Sequence, residues 1–403
     1  MSSKLFRLIL VVYMAGLLVP TVDAEPLLDA LKNGEPSLNL RWSYETADLE
    51  GGTKAASGLI LRTRLGYRTA PFWSQTTAFL HFQDVRPTGL QDYGPEDADF
   101  DTIADPTGTA VYEGYLENEA LPDTQVRLGR QEIILDNHRL VGNIGWRQHN
   151  QSFDAVLVTN DSLADLKFIV GRVWRVKTIS NTEVDLEHFV ILEGIYEGIE
   201  NHRLSFYNYF LDSRGGTDSD RDLSTLGARI TGSGGPVSYE ADYSAQSGYA
   251  DNISDGGTML NGFVSATVVG VKLGVGYGEI SGATNSARAF DTLFSTAHAF
   301  NGWADQFPAT NGGNLTNGLK DTYLHVDGTV AGYKLLARFH QFQQESESDN
   351  YGSELDLLVA TKLAENLKGL IKYAGYVADS GNDLGDNTAS NKTLTWVRLE
   401  YNF

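Results

Sequence analysis

Arginines recur at a spacing of two residues in segments whose other positions are apolar. Arg62 and Arg64 are the clearest pair, flanked by Leu59, Leu61 and Leu65 on the alternate positions. A guanidinium stays charged at any working pH and can hold a carboxylate through two parallel hydrogen bonds. The 403 residues include no Cys, which excludes thiolate metal sites and Cys nucleophiles. The chemistry that this pattern predicts is therefore reversible binding of anions.

Alternation assigns many basic side chains to the same kind of polar face. They are Arg41, Arg62, Arg64, Arg127, Lys167, Arg175, Arg203, Arg229, Arg338, Lys372 and Arg398. Acidic side chains that share these faces are Asp154, Glu354, Asp356 and Glu400. Rows of Arg or Lys suit the passage of anions. The alternative interpretation is that these charges pair with one another and only solvate a wall.

The net charge of −21 argues against non-specific binding of nucleic acid, because phosphate binding requires a basic face. Much of the acidity falls in predicted loops, above all residues 86–111. Asp97, Asp99 and Asp101 match only the first half of a calcium-loop pattern. A solvated acidic rim is the favoured interpretation, and Ca²⁺ bound to the acidic outer loops is the alternative. We expect no other cofactor.

The motifs of common enzyme classes are missing from the sequence. There is no Gly-x-Ser-x-Gly elbow, no His-Glu-x-x-His pair, no phosphate-binding glycine loop and no dinucleotide fingerprint. We therefore expect no enzymatic activity.

Residues 1–24 differ from the remainder of the chain. Lys4 and Arg7 precede an apolar run from Leu8 to Val19, and Ala24 ends the segment. The run is shorter than the roughly 20 residues that a membrane-spanning helix needs. This pattern predicts a secretory signal peptide that is cleaved near Ala24, with export from a Gram-negative cytoplasm.

The elements that must position the arginines are β-strands, because apolar and polar residues alternate along nearly all of residues 25–403. Eighteen such segments are predicted, at approximately 37–44, 57–68, 76–85, 112–120, 125–135, 151–159, 165–177, 185–197, 202–211, 223–232, 237–249, 258–268, 271–280, 320–329, 333–344, 353–363, 367–378 and 392–403. An even number of strands with one apolar face each is typical of a transmembrane antiparallel β-barrel. We predict one barrel domain over residues 25–403.

The lengths of the connections support this count. Even-numbered connections are predicted to have seven residues or fewer, and odd-numbered ones about seven or more. Short periplasmic turns and long extracellular loops are typical of outer-membrane barrels. The longest loops are 86–111 and 281–319, and the second contains Phe290, Phe294, Phe300, Trp303 and Phe307. We expect these aromatic side chains to pack into the mouth of the barrel and narrow it.

The last strand ends on Phe403, with Tyr401 and Leu399 at alternate positions before it. A terminal Phe on an alternating aromatic strand resembles the signal that barrel-assembly machinery recognises. Tyr401 and Phe403 are therefore the predicted assembly signal, and outer-membrane lipids and lipopolysaccharide are the expected surroundings.

Two stretches resemble the alginate-export family of outer-membrane barrels. The first runs from Gln125 through Leu128-Gly-Arg-Gln131 and Arg139-Leu-Val-Gly142 to Trp146-Arg-Gln148 and Ser152-Phe-Asp-Ala-Val156. The second covers residues 294–307 and 318–324. The resemblance implies an eighteen-stranded barrel with an arginine-rich lumen for anionic polysaccharide. The motif positions that it matches are Arg127, Arg130, Arg139, Arg147 and Asp154.

From these patterns we expect an outer-membrane channel that passes anionic solutes. The solute could be an alginate-like polysaccharide or a small carboxylate. The predicted substrate path comprises Arg62, Arg64, Arg127, Arg130, Arg139, Arg147, Asp154, Arg175, Arg229, Arg338 and Arg398. The alternatives are a weakly selective general porin and a surface-binding barrel that does not transport.

Overall fold

The computed structural model describes residues 25–213, 221–250, 256–284, 287–307, 316–346, 349–379 and 389–403. The predicted signal peptide, residues 1–24, lies outside the described residues. Within these ranges one short helix, α1 (Glu25–Lys32), precedes eighteen strands. No helix in the described ranges is both long enough and apolar enough to cross a membrane.

The strands follow the predicted segments closely. They are β1 (Glu35–Leu49), β2 (Ala56–Arg68), β3 (Thr76–Asp92), β4 (Gly108–Asn118), β5 (Thr124–Gln131), β6 (Ser152–Leu163), β7 (Leu166–Lys177), β8 (Glu183–Tyr196), β9 (His202–Asp212), β10 (Leu223–Gly234), β11 (Val237–Gly248), β12 (Thr258–Val268), β13 (Val271–Ile280), β14 (Leu319–Val330), β15 (Tyr333–Gln343), β16 (Asn350–Ala364), β17 (Leu367–Ala378) and β18 (Lys392–Asn402).

The sheet closes on itself into a barrel. Each strand pairs antiparallel with its neighbours in sequence, and β1 pairs with both β2 and β18. Closure removes the edge strands, so the backbone of every strand has partners on both sides. The predicted fold class, an antiparallel barrel of eighteen strands, is confirmed.

The strands alternate as the sequence predicts. On β2, Arg62 and Arg64 are buried on the inner face, whereas Leu65 on the outer face is 58% exposed. The same outer surface carries exposed apolar side chains on other strands, including Leu116, Phe206, Leu273, Leu324, Ile371 and Leu399. An apolar outer band around polar inner faces is the arrangement that a lipid bilayer requires.

Connections at the two ends of the barrel differ in length. At one end the turns are short, and the β12–β13 turn consists only of Val269 and Gly270, both with positive φ (51° and 78°). Such a pair forms the tight turn that matches the twist of a hairpin, and Gly270 adopts it without strain. At the other end most loops are long, although residues 50–55 and 178–182 form shorter loops than predicted. Strand β3 also continues to Asp92, which reduces the predicted 86–111 loop to residues 93–107.

Two of the long loops fold into the barrel and form its core. Residues 132–151 join β5 to β6, and residues 287–307 belong to the connection between β13 and β14. Phe290, Phe294, Trp303 and Phe307 are all buried. Phe294 packs against Phe153 and Phe189 of the wall, with ring centroids 5.8 and 5.2 Å apart. The predicted packing of these aromatic side chains into the barrel is confirmed.

Candidate functional site

A group of four arginines covers the inner face where β18, β1 and β2 meet. We call it the arginine wall, and it consists of Arg41, Arg62, Arg64 and Arg398. The strand registers place Arg41 opposite Arg62, and Ser43 opposite Arg398. All four side chains are buried, and Arg62 is only 1% exposed. Alternation on three adjacent strands therefore concentrates four positive charges on one patch of the wall.

The arginine wall binds the main chain of the 132–151 loop. Arg41 donates hydrogen bonds to the carbonyl oxygens of residues 145 and 147, at 3.0 and 3.4 Å. Arg398 donates to the carbonyl of residue 146 at 2.9 Å, and Arg62 to that of residue 148 at 3.4 Å. Three guanidiniums thus bind four consecutive carbonyl groups.

These contacts leave the positive charge of the wall largely unpaired. Among the described residues, Glu400 is the one carboxylate in salt-bridge contact with it, 3.1 Å from Arg41 and 3.4 Å from Arg62. Arg64 donates its Nε hydrogen to Gln83 at 2.6 Å and lies over the ring of Tyr112. In the described part of the chain, the Nη2 atom of Arg64 and the Nε atoms of Arg41 and Arg62 have no hydrogen-bond partner. Because these nitrogen atoms are buried, the wall can act on a solute through its charge rather than through direct hydrogen bonds from them.

A patch of opposite sign lies on β14, β15 and β16. We call it the acidic wall, and it consists of Asp321, Glu354, Asp356 and the intervening His340. The His340 Nδ1 atom lies 2.9 Å from Asp321, and its Nε2 atom lies 3.6 Å from Asp356. Glu354 accepts a hydrogen bond from the backbone N–H of Ala304 at 2.7 Å. The acidic wall therefore holds the second internal loop, 287–307.

Lys372 on β17 occupies the junction between the two walls. Its ammonium group donates a hydrogen bond to His298 Nε2 at 2.6 Å and lies 3.6 Å from the centroid of the Trp303 ring. The other ring nitrogen of His298 contacts Asp305 at 2.9 Å, and Trp146 stacks on the imidazole with centroids 4.8 Å apart. Burial lowers the pKa of His298 to about 3. His298 is therefore neutral: its Nε2 atom accepts a hydrogen bond from Lys372, and its Nδ1 atom donates one to Asp305.

Arg147 connects the first internal loop to carboxylates on three elements. It contacts Glu45 of β1 at 2.9 and 3.1 Å, Asp305 at 3.2 Å and Asp105 at 3.8 Å. Burial alone would lower the pKa of Arg147, but these carboxylates raise it overall. The motif position Arg147 thus has a clear structural place, as the centre of a buried ionic network.

The two internal loops also bind each other. Gly142 N–H donates to the carbonyl of Phe294 at 3.0 Å, and Phe294 N–H donates to the carbonyl of Leu140 at 2.9 Å. Thr296 continues the pairing through a 3.0 Å bond to the carbonyl of His138. Together the loops form a continuous layer between the arginine wall and the acidic wall.

Arg139 lies inside this layer. It is 1% exposed, its guanidinium stacks on Phe300 at 4.6 Å, and it donates to Asn301 at 3.3 Å. Burial lowers the pKa of Arg139 to about 10, which leaves the group charged at neutral pH. Its place inside the barrel agrees with the resemblance, and its role in conduction stays a prediction.

Several predicted residues lie on the inner face but are paired. Arg127 binds Glu117, Arg229 binds Glu240 at 2.6 Å, and Arg338 donates to His325 at 3.0 Å. For these positions, local pairing offsets much of the positive charge. The interpretation that paired charges solvate the wall therefore describes this part of the barrel.

Three predicted lumen residues lie on the other face. Asp154 pairs in register with Arg130 and Arg175, and the adjacent Ala155 pairs with Gly129 and Val173 on the inner face. The predictions for Asp154 and Arg175 as inward residues were wrong. On β6 the apolar residues point inward because they pack on the internal loops, and on β7 a bulge between Val173 and Arg175 reverses the faces.

Arg130, Asp154 and Arg175 instead form an ionic row outside the lumen. Arg130 contacts Asp154 at 2.7 Å and Glu183 at 2.6 Å, and Arg175 binds Asp185. The row lies at the long-loop end of the strands. The side chains of Arg130 and Asp154 are only 15% exposed, and the row lies on the face opposite to the lumen.

The predicted assembly signal lies on the outer face at the short-turn end. Phe403 is 72% exposed, and its backbone exchanges hydrogen bonds of 2.9 and 3.0 Å with Leu38 of β1. Tyr401 pairs with Leu40 in the same register. Their recognition by assembly machinery stays a prediction.

The acidic loop is partly structural. Both carboxylate oxygens of Asp101 accept hydrogen bonds, from Leu49 N–H at 2.8 Å and from Thr53 at 2.8 and 3.0 Å. Asp105 accepts a 2.6 Å bond from the N–H of Gln148. Among the described residues, no group of three or more His, Cys, Asp or Glu side chains has the arrangement of a metal site.

The sequence did not predict the roles of Glu45 and Gln83 or the central position of Lys372 at the junction. Glu45 and Gln83 lie on the same alternation faces as Arg41 and Arg64, so alternation could have found them. The contact of Lys372 with three tryptophans could not have been found, because Trp146 and Trp303 come from loops.

Comparison with known proteins agrees with the geometry. The alginate export family matches residues 36–398. OccK3 (OpdO) of Pseudomonas aeruginosa superimposes with a TM-score of 0.69 at 12% identity, covering 95% of this chain and 99% of its own. OccAB4 of Acinetobacter baumannii superimposes with a TM-score of 0.69 at 11% identity, covering 92% of this chain and 98% of its own. OpdK of P. aeruginosa, in a structure with vanillate, superimposes with a TM-score of 0.67 at 14% identity, covering 93% of this chain and 99% of its own. No curated protein matches by sequence.

Proposed function

Because this chain belongs to the alginate export family, we propose that it is an outer-membrane channel that prefers anions and passes solutes bearing carboxylates. The family match and the closed barrel support a channel in the bacterial outer membrane. Entry into that membrane would follow cleavage of residues 1–24 near Ala24. Lipopolysaccharide, lipids and the assembly machinery would be its surroundings and partners, with no cofactor.

The observation that carries this proposal is the charge balance of the arginine wall. Four guanidiniums share one carboxylate, Glu400, and otherwise bind neutral carbonyl and amide groups. Neutral partners satisfy hydrogen bonds without cancelling charge. Because the surrounding wall has a low dielectric constant, this excess charge acts more strongly on an ion in the lumen than the screened acidic loops do.

Small carboxylates fit the geometry better than a polymer does. The internal loops form a layer fixed to both walls, so an extended chain would have to displace many main-chain hydrogen bonds at once. OpdK, a barrel of the same fold, has been solved with vanillate, a small aromatic carboxylate. A uronate monomer or a similar small acid is therefore the proposed solute, and a polymer such as alginate is the competing one that the family name suggests.

Reversal potentials across a salt gradient in planar bilayers test the proposal. The unmodified channel should prefer anions, and Arg64→Gln should lower the anion-to-cation permeability ratio about twofold. A unit charge about 8 Å from the path shifts the energies of an anion and a cation by roughly 0.5 kcal/mol each, in opposite directions, in water. Screening over a Debye length of about 8 Å reduces the combined difference to about 0.4 kcal/mol, which corresponds to that factor. Arg64→Lys is the matched control, because it keeps the charge and should keep the preference.

The outcomes separate the alternatives. Cation preference in the unmodified protein would refute the proposal, and equal permeability would identify a weakly selective porin. A chain that inserts but does not conduct would support the surface-binding alternative. Block of chloride current by galacturonate monomers but not by oligouronates would favour the small solute.

A further inference from the structure

Helix α1 has two distinct sides. At about 100° per residue, the three leucines Leu27, Leu28 and Leu31 lie together on one side of the helix. The charged residues Glu25, Asp29 and Lys32 lie together on another. This separation is the pattern of a helix that lies between an apolar and an aqueous medium.

Two of the three leucines are exposed, and Leu27 is half-buried. Leu28 is 53% exposed and Leu31 is 47% exposed, whereas Ala30 is buried. The helix is held by its other contacts: Ala70 N–H donates to the carbonyl of Ala30 at 3.0 Å, and the Tyr67 hydroxyl donates to the carbonyl of Leu31. The barrel therefore fixes the position of α1 while leaving its most apolar side open.

These contacts place α1 outside the barrel wall. Tyr67 alternates with Leu65 on the outer face of β2, and Leu65 is a lipid-facing residue that is 58% exposed. Ala70 lies in the short turn that joins β2 to β3. Helix α1 thus lies at the short-turn end and is held from the outer face of β2, the face that also carries Leu65.

An exposed tryptophan lies in the same turn. Trp73 is 42% exposed and packs edge-on against Phe72, with centroids 5.1 Å apart. Tryptophan is enriched where membrane proteins cross the headgroup region, because its ring is apolar and its N–H is polar. The short-turn edge near α1 therefore has the composition of a membrane interface.

We propose that α1 is an interfacial helix, whose leucine side inserts into the periplasmic leaflet of the outer membrane. Its partner is the phospholipid bilayer itself, at the boundary between headgroups and acyl chains. Burial of Leu28 and Leu31 removes apolar surface from water, and the charged side of α1 remains in the aqueous phase.

The attachment is hydrophobic rather than electrostatic. The one lysine of α1, Lys32, forms a salt bridge with Asp29 at 3.6 Å, and Glu25 adds a further negative charge. A helix without net positive charge gains nothing from anionic lipids. Insertion of α1 should therefore not depend on salt, in contrast with a polybasic anchor.

Depth-dependent quenching tests this assignment in the complete channel. Because the chain has no Cys, Leu28→Cys gives one labelling site for a bimane fluorophore. The labelled protein is reconstituted in phosphatidylcholine vesicles whose acyl chains are brominated. We expect bimane at position 28 to be quenched nearly as strongly as at Leu65→Cys, the lipid-facing reference, and equally in low and high salt.

Asp29→Cys on the charged side is the matched control and should show less than half of that quenching. Heat-modified migration on gels verifies that each labelled barrel is folded. If position 28 is quenched no more than position 29 in folded barrels, the leucine side is in water and the proposal is wrong. A result of this kind would leave the channel proposal untouched, because ion selectivity is measured independently.

Discussion

The arginine wall and the acidic wall bind the two internal loops through different backbone groups: the first through carbonyl oxygens and the second through an N–H group. The arginine wall donates to carbonyl oxygens of residues 145–148, whereas Glu354 of the acidic wall accepts from the N–H of Ala304. Each wall therefore binds peptide groups of its loop, which carry no net charge and do not cancel the charge of the wall. A wall can therefore fix a loop firmly and still present its charge to the solute.

The largest effect is expected from removing the layer that both walls hold. Replacing residues 288–307 by a short Gly-Ser linker should raise single-channel conductance several-fold, because the loop fills the barrel with buried aromatic side chains. Planar-bilayer recordings measure the change, and heat-modified migration verifies that the barrel still forms. Unchanged conductance would show that the ion path bypasses this layer.

Neutralising the acidic wall should shift selectivity in the direction opposite to neutralising the arginine wall. We expect Glu354→Gln with Asp356→Asn to raise the anion-to-cation permeability ratio by about twofold per charge that faces the path. Reversal potentials compare this variant with Arg64→Gln. Shifts of the same sign in both variants would mean that the two walls do not act on the same ion path.

Glu45→Gln tests the ionic network that joins the first loop to the barrel. The change removes the closest carboxylate of the buried Arg147, at 2.9 Å, and leaves Asp305 and Asp105 as partners. Breaking a buried pair typically costs about 3–5 kcal/mol, and the remaining partners should reduce this to about 2 kcal/mol. The measurement is the midpoint of heat modification on gels. Glu50→Gln, at an exposed position, is the control and should not change the midpoint.

A further effect depends on pH and on two buried histidines of the internal loops. Burial holds the pKa of His298 at about 3, against 6.5 for a free histidine, and that of His149 at about 4. The released loops therefore bind more protons than the docked loops at acid pH. Docking is complete above pH 6.5 and weakens as pH falls below it, by up to about 1.4 kcal/mol per pH unit for each histidine.

Conductance recorded from pH 7 to pH 4.5 checks this sign. Acid should increase the frequency of larger open states, and His298→Gln should reduce that dependence because one titrating group is lost. More frequent opening at higher pH would contradict the assignment of neutral, buried histidines.

The barrel was predictable from the sequence because lipid imposes a simple rule on every strand. Alternation located all eighteen strands and put Arg62, Arg64 and Arg398 on the inner face. The rule failed for Asp154, because Phe153 and Ala155 pack against loops inside the barrel rather than against lipid. It failed for Arg175 because a bulge changes parity, and no residue type marks a bulge reliably.

The loop contacts of the site could not be derived in this way. His298, Asp305 and Trp146 meet at Lys372 only because two loops far apart in sequence pair with each other. The aromatic residues of the predicted 281–319 loop indicated that it would be buried. The spacing of those residues in the sequence does not indicate which other loop or strand they contact.

The hydrogen bonds from the arginine wall to four consecutive carbonyls affect which substitutions the 132–151 loop can accept during evolution. A hydrogen bond to a backbone carbonyl does not depend on which side chain that residue carries. At Gly145 an added Cβ would lie 3.2 Å from the Asn143 side chain, so a small residue there requires only a small shift of that side chain while the loop keeps its path. Among the four positions, residue 145 is the one without a side chain that packs or pairs, so a library of small residues at position 145 should yield folded variants, whereas Trp146, Arg147 and Gln148 are held by their own side chains.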